Sequence, residues 1–260
     1  MFRSLNVAAT GMAAQETQLD TIANNLANAN TNGYKHQSAQ FEDLLYQSVR
    51  APAENADATV APTQTQIGTG VRIVATSRSF SEGTIQQTGN SLDLAIEGTG
   101  LFAVTRSDGT TAYTRTGSFQ LDAQGRVTTA DGLPLDPPLV VPANATSVTI
   151  ASDGTVTALQ PGAKTPTSVG QIQLTTFPNP NGLDSNGHNL FTQTTASGEP
   201  ITGAAGADGR GTIMQGALEG SNVDVVTEMV AMIQAQRAYE MSSKVVSAAD
   251  EMLRNATQAQ

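Results

Sequence analysis

Two histidines, His36 and His188, and a scatter of carboxylates are what this sequence offers for acid–base or metal chemistry, and it contains no cysteine. A zinc or iron site draws three or four His, Cys, Asp or Glu ligands from short, characteristic spacings. Neither histidine has such a neighbour, and both read as polar loop residues at the surface. Glycoside cleavage needs two carboxylates facing each other across a cleft. Asp93, Glu97, Asp122 and Asp131 fall at turn signals or on the outward positions of alternating strands, where they read as solvated. "EGTGLF" is no dinucleotide fingerprint, and "GAAGADGRG" (203–211) lacks the Lys-Ser/Thr of a phosphate loop. No catalytic residue, metal or cofactor is expected.

The chemistry that does stand out is amide hydrogen bonding. "NNLANANTNGYK" places five asparagines between positions 24 and 32. Asn32-Gly33 can supply a left-handed turn that closes a helix. Asn24, Asn25 and Asn28 fall inside the helix that the preceding pattern predicts. Asparagine is a mediocre helix former, because its amide competes for backbone groups, so these three call for partners outside the helix.

The elements that position these residues are helices at the two ends. Leu5, Ala8, Met12, Gln15, Leu19, Ile22, Leu26 and Ala29 repeat at about 3.5 residues, the coiled-coil period. At the other end, Val223, Val226, Val230, Ile233, Arg237, Met241, Val245, Ala248 and Met252 form a stripe closer to 3.6, interrupted only by Arg237. "SNVD" (221–224) fits a capping box with Ser221 as N-cap. Each helix is amphipathic and lacks a partner nearby in sequence, so the two are expected to pack on each other.

Between them the period is two. "SLDLAIE", "SVTIASDGTVTAL" and "QIQLTTF" alternate, and Asp-Gly turns recur. The fold class is therefore α+β: terminal helices packed in a coiled-coil-like pair, a central antiparallel β domain and an extended connection. The expected divisions are 1–32 (N-terminal helix), 33–70 (extended segment), 71–205 (β domain), 206–220 (return linker) and 221–260 (C-terminal helix).

Composition sets outer bounds. The 260 residues carry a net charge of −10, which argues against a nucleic-acid partner. Charged residues are only 14%, against roughly 25% in typical domains. Interfaces are poor in Lys, Glu and Asp, so this composition suits a chain whose surface is covered by other subunits; a secreted β-rich protein with a neutral polar surface is the competing reading. No stretch is long and apolar enough to insert in a membrane as a helix. The N-terminal segment lacks the apolar run of a cleaved signal peptide.

"IANNLANANTNGYK" (22–35) resembles the N-terminal signature of the flagellar rod and hook family, and "NVDVVTEMVAMIQAQRAYEMSSKVVSAADEML" (222–253) resembles its C-terminal helix. "IGTGVR" (67–72), "LDLAIEGTGLFAV" (92–104) and "YTRTGSFQLDAQGRV" (113–127) resemble its central segments. The length and "FEDLLYQSVRAP" (41–52) are similar to the distal-rod branch of that family. The resemblance implies a structural subunit that polymerises helically into a stiff hollow shaft, transmitting torque to the hook and letting exported proteins pass. Its alternatives within the family are a proximal rod protein or a hook subunit. An alternative of another kind is a secreted peptidoglycan-cleaving enzyme.

The same resemblance implies partners and sites. The partners are copies of itself, proximal rod proteins and hook or junction subunits at the ends, ring proteins of the peptidoglycan and outer membrane, and the flagellar type III export apparatus. The place is the basal body, in the rod crossing the periplasm, reached without a cleaved leader. Leu5, Met12, Leu19, Ile22, Leu26, Val223, Val226, Val230, Ile233, Met241, Val245 and Met252 form the expected axial assembly seam. Asn24, Asn25 and Asn28 read as amides bonded to neighbouring subunits, or as water-facing groups of a frayed helix end. Arg237 either pairs with another subunit or reaches solvent along its own stem. Asn32 and Gly33 turn the chain outward, and Phe41 with Leu45 matches a short export pattern. Residues 48–66 read as a brace, ordered in the polymer, that contacts a neighbour and sets rigidity.

Overall fold

Amphipathic ends and a period-two middle yield an α+β chain in the computed structural model, which describes residues 2–50, 65–162 and 165–258. Two units are formed. One joins the described parts of 1–27, 37–77 and 224–260; the other joins 28–36 with the described parts of 78–223. Most of the expected brace, residues 51–64, lies outside the described residues.

In the first unit, helix α1 spans Phe2–Ala27 and helix α2 spans Val225–Gln258. They pack on one another. Asn25 Nδ2 lies 3.3 Å from Glu228 Oε2, and a Cβ at Gly11 would lie 3.8 Å from Ser242 Oγ. Stepping back from Asn25 to Gly11 thus matches stepping forward from Glu228 to Ser242, so the pair is antiparallel. Strand β1 (Gln37–Asp43) pairs with β4 (Val71–Arg78), and β2 (Gln47–Arg50) pairs antiparallel with β3 (Thr65–Ile67). Within 33–70, read from sequence as an extended segment, the described residues include these paired strands.

Two helix ends differ from the sequence pattern. α1 stops at Ala27, so Asn28 lies just past it, where its carbonyl and side chain accept from the Thr31 N–H (3.1 Å) and hydroxyl (3.2 Å). The N-cap of α2 is Asp224 rather than Ser221: its Oδ1 accepts the Val226 N–H at 3.0 Å and its Oδ2 the Thr227 hydroxyl at 2.7 Å. The reason lies one step upstream. Asn222 is tied to His36 and to Ser79 and Ser81, so its backbone cannot yet wind into a helix.

The second unit holds β5 (Ile85–Gln87), β6 (Leu94–Glu97), β7 (Leu101–Thr105), β8 (Thr111–Thr114), β9 (Phe119–Leu121), β10 (Val127–Thr129), β11 (Leu135–Asp136), β12 (Ser147–Ile150), β13 (Thr155–Leu159), β14 (Thr167–Gln171), β15 (Gln173–Thr176), β16 (Asp184–Ser185), β17 (Leu190–Thr192), β18 (Ile201–Ala204), β19 (Thr212–Gln215) and β20 (Ala217–Glu219). Its largest sheet runs β16-β17-β8-β7-β15-β18, with β11 also beside β7. The pairings that link these strands are antiparallel, with Phe102 opposite Thr114 on one side and Leu174 on the other. β12 and β13 form the expected hairpin around Asp153-Gly154, closing with Ile150 opposite Val156.

Residues 206–220, read from sequence as a return linker, are not one. β19 pairs with β6 and β20 with β5, so the returning chain completes the sheets. Asp93 is also not a surface carboxylate. It is 7% exposed and accepts from the Thr88 hydroxyl (2.7 Å) and the Asn90 amide (3.1 Å).

β7 is apolar on both faces because both are covered. Phe102 and Val104 join Leu94, Ile96, Phe119 and Leu174 in the main core, with the Phe102 and Phe119 rings edge to face at 5.2 Å. Leu101 and Ala103 face Tyr113, Leu183 and Phe191 in a second cluster.

Candidate assembly surface

The amide cluster resolves into separate tasks. Asn25, 1% exposed, uses its side chain as a backbone does: Oδ1 accepts the Gln37 N–H (3.0 Å), and Nδ2 donates to the Gln37 carbonyl (2.8 Å). It thereby pairs both backbone polar groups of half-buried Gln37 at the start of β1. The same Nδ2 reaches Glu228 on α2. One amide therefore ties α1, β1 and α2 together inside the first unit. Asn24 is exposed on the neighbouring face of α1, and Asn28 is half-buried in the turn.

The contact between the helices is built from small side chains. On α2 the buried positions are Glu228, Ala235 and Ala249, with Ser242 half-buried between them, each a heptad from the next. On α1 they are Ala8, Ala14, Ile22 and Asn25, with Gly11 half-buried. Leu5, Met12, Leu19 and Leu26 sit half-buried along the flank of this contact.

The apolar stripe of α2 lies on a different face. Val226 is 71% exposed, Val230 51%, Ile233 49%, Met241 62%, Val245 51% and Met252 52%, while Val223 is half-buried just ahead of the helix. Arg237 is exposed among them. Periodicity located this stripe but could not say which face of α2 meets α1. The alanine face wins because antiparallel helices approach closely where side chains are small. A continuous row of exposed large apolar side chains is the mark of an interaction surface.

In the second unit, the outgoing and returning chains are locked by ions that sequence reasoning passed over. Lys35 Nζ lies 2.6 Å from Glu219 Oε1, Arg115 Nε donates to Glu219 Oε2, and all three side chains are buried. Gly83 N–H donates to Glu219 Oε1 (2.9 Å), and Lys35 Nζ also donates to the Ser81 carbonyl (2.7 Å). Arg115 also donates from Nη1 to the carbonyl of Gly100 (2.6 Å) and from Nη2 to those of Ile96 (2.8 Å) and Gly98 (2.7 Å). Pairing and hydrogen bonding of this extent are what let buried charges persist. Burial holds the Lys35 ammonium below the usual lysine pKa, against the opposing pull of Glu219. Lys35, Arg115 and Glu219 each stand within two residues of a glycine, a signal too common to single them out.

Gly33 has φ +71° and accepts no side chain: a Cβ there would lie 2.8 Å from Thr116 N. Its N–H donates to the Glu219 carbonyl (2.8 Å), and the Asn32 carbonyl accepts from the Thr116 hydroxyl (3.1 Å) and the Asn189 amide (3.2 Å). Phe41 is 38% exposed on β1 and Leu45 is 89% exposed just beyond it. His188 Nδ1 lies 3.5 Å from Asp131 Oδ2, with both side chains exposed. Among the described residues no three His, Cys, Asp or Glu side chains gather as a metal site, and no helix is long and apolar enough to cross a membrane.

Comparison with known proteins follows the same division. Residues 5–35 match the family described as flagella basal body rod protein, 95–158 the flagellar hook protein FlgE/F/G D1 domain, and 214–259 the flagellar basal body rod FlgEFG protein C-terminal region. The chain is 45% identical to the flagellar basal-body rod protein FlgG of Buchnera aphidicola (subsp. Acyrthosiphon pisum), over 99% of this chain and all of that one. It is 45% identical to the FlgG protein of Caulobacter vibrioides over 98% of both chains, and 39% identical to that of Bacillus subtilis over 97% of both. Similarity of this degree along the whole of both chains shows that the protein belongs to the flagellar basal-body rod protein family.

Proposed function

We infer that the chain is a structural subunit of the distal flagellar rod, polymerising with copies of itself into a stiff hollow shaft in the basal body. It carries torque to the hook and has no catalytic role. Full-length similarity to basal-body rod proteins supports the identity. The observation that carries the mechanism is the uncovered stripe of α2. Each of its large apolar residues is about half exposed or more, and burying what remains contributes about 1 kcal/mol apiece. A second copy is what covers it.

In this reading the terminal helices form the inner axial domain. The heptad spacing of Glu228, Ala235, Ser242 and Ala249 supports a coiled-coil-like contact between the helices. Leu5, Met12, Leu19 and Leu26 complete the seam from α1. Asn24 and Arg237, both exposed, contact neighbouring copies. Phe41 and Leu45, open on the surface, suit recognition by the type III export apparatus. Proximal rod, hook and ring proteins are the heterologous neighbours.

The test is polymerisation of the purified chain. Val230→Asp buries an unpaired carboxylate at a cost of several kcal/mol and should leave the protein monomeric with the β signal of its circular dichroism unchanged. Met12→Asp should do the same. Tubes formed by Val230→Asp at the parent's concentration would remove the stripe from the interface.

A further inference from the structure

The two uncovered helix faces of the first unit complement each other. α1 presents Ala9, Ala13, Glu16, Asp20, Ala23 and Ala27, all exposed and all on the side turned away from α2. This row is small at both ends and acidic in the middle. α2 presents Val230, Ile233, Arg237 and Met241, also on the side turned away from its partner helix. That row is large and apolar at both ends and basic in the middle. Glu16 and Asp20 are one turn apart, about 6 Å, so a single guanidinium can reach both. Arg237 sits one turn from Ile233 and one turn from Met241. None of Glu16, Asp20 and Arg237 makes an ion pair or a side-chain hydrogen bond with another described residue.

Resting on the reading of the chain as a self-polymerising subunit, we propose that the α2 stripe of one copy docks on the alanine face of α1 of the next, with Arg237 between Glu16 and Asp20. Three features select a second copy as the occupant. Size is matched, because large side chains meet a floor of alanines and the helices can close to packing distance. Charge is matched, with one basic position facing an acidic pair midway along each row. Polarity is matched as well. α1 and α2 run antiparallel within a subunit, and a screw operation preserves the sense of each helix along the axis, so α2 of one copy meets α1 of another antiparallel.

The contact is heterologous, because each copy offers two different faces. Such contacts do not stop at a dimer; they run on into rings or screw-symmetric filaments. The small face of α1 thereby gains a purpose that its lack of large apolar residues would not suggest. Arg237, which interrupts the stripe, becomes the group that sets register: sliding one helix by a turn would bury it against alanine.

The experiment uses the full chain and two charge reversals, Arg237→Glu and the double variant Glu16→Lys/Asp20→Lys. Alone, the first sets Glu against an acidic pair and the second sets Arg against two lysines. Each should raise the critical concentration for polymerisation by about tenfold or more. Mixed in equal amounts they pair with opposite sign at every alternating contact, and the mixture should form tubes near the parent's critical concentration. Rescue by mixing requires both variants to be folded. The proposal is overturned if either variant polymerises alone as the parent does, or if the mixture stays unassembled. Val230→Asp run in parallel separates the two levels. If it polymerises normally, the stripe is not an interface; if it fails while both charge variants assemble alone, only this pairing is wrong.

Discussion

The Asn25 side chain holds both backbone groups of Gln37, accepting from its N–H at 3.0 Å and donating to its carbonyl at 2.8 Å. Asn25→Ala should therefore leave the half-buried Gln37 N–H and carbonyl without this partner, at a cost of about 1 kcal/mol for each hydrogen bond. Asn25→Asp should be worse, because a carboxylate cannot donate to the Gln37 carbonyl and would stand beside Glu228. The check is the thermal disassembly of polymer made from each variant. The order should be parent, then Asn25→Ala, then Asn25→Asp, and an Asn25→Asp polymer as stable as the parent would show that the amide is dispensable.

The buried ions predict an asymmetry. Glu219→Ala leaves Lys35 and Arg115 facing each other without a counter-charge, and breaking a buried pair in this way costs about 3–5 kcal/mol. Lys35→Met leaves Glu219 still paired with Arg115 and with the Gly83 N–H, so its cost should be the smaller of the two. Urea unfolding of the β unit, followed by tyrosine fluorescence, ranks them. Equal midpoints for the two variants would mean that the charges are not coupled as the geometry indicates.

Gly33→Ala asks for a Cβ in a left-handed residue, 2.8 Å from a backbone nitrogen. Strain of about 1–3 kcal/mol is expected from the conformation alone, and the clash adds to it. The Gly33 and Thr116 amides should lose hydrogen-exchange protection. Unchanged protection at Thr116 would show that the chain accommodates the methyl by moving elsewhere.

The Asp224 cap titrates. The Thr227 hydroxyl, then the Val226 amide, hold its carboxyl below the ordinary aspartate value. A depressed carboxylate contributes stability that is present above its unfolded pKa, about 3.9, and lost as pH falls through the lower folded value. The Val226 amide resonance should accordingly shift with a midpoint below that of a free aspartate. Asp224→Asn, which caps without ionising, should remove that titration while keeping α2 helical. A Val226 midpoint at or above the free value would contradict the capping geometry.

Periodicity and turn chemistry determined much of this protein unaided. A helix at each end, a period-two middle, the left-handed turn at Gly33 and the hairpin at Asp153-Gly154 were legible, because each follows from local preferences of neighbouring residues. The rest depended on groups distant in the chain. The sequence marked a large apolar stripe on α2 but not that α1 packs on the opposing alanines, since closeness of approach is a property of two helices together. It placed Ser221 at the cap, whereas the bonds of Asn222 to His36, Ser79 and Ser81 delay the helix to Asp224. It treated 206–220 as linker, because strands as short as Thr212–Gln215 and Ala217–Glu219 are stabilised mainly by partners more than a hundred residues away. Nothing in the sequence sets Lys35, Arg115 and Glu219 apart from other charged residues. Only the tertiary fold, by removing all three from water at one crossing of the chain, made them depend on one another.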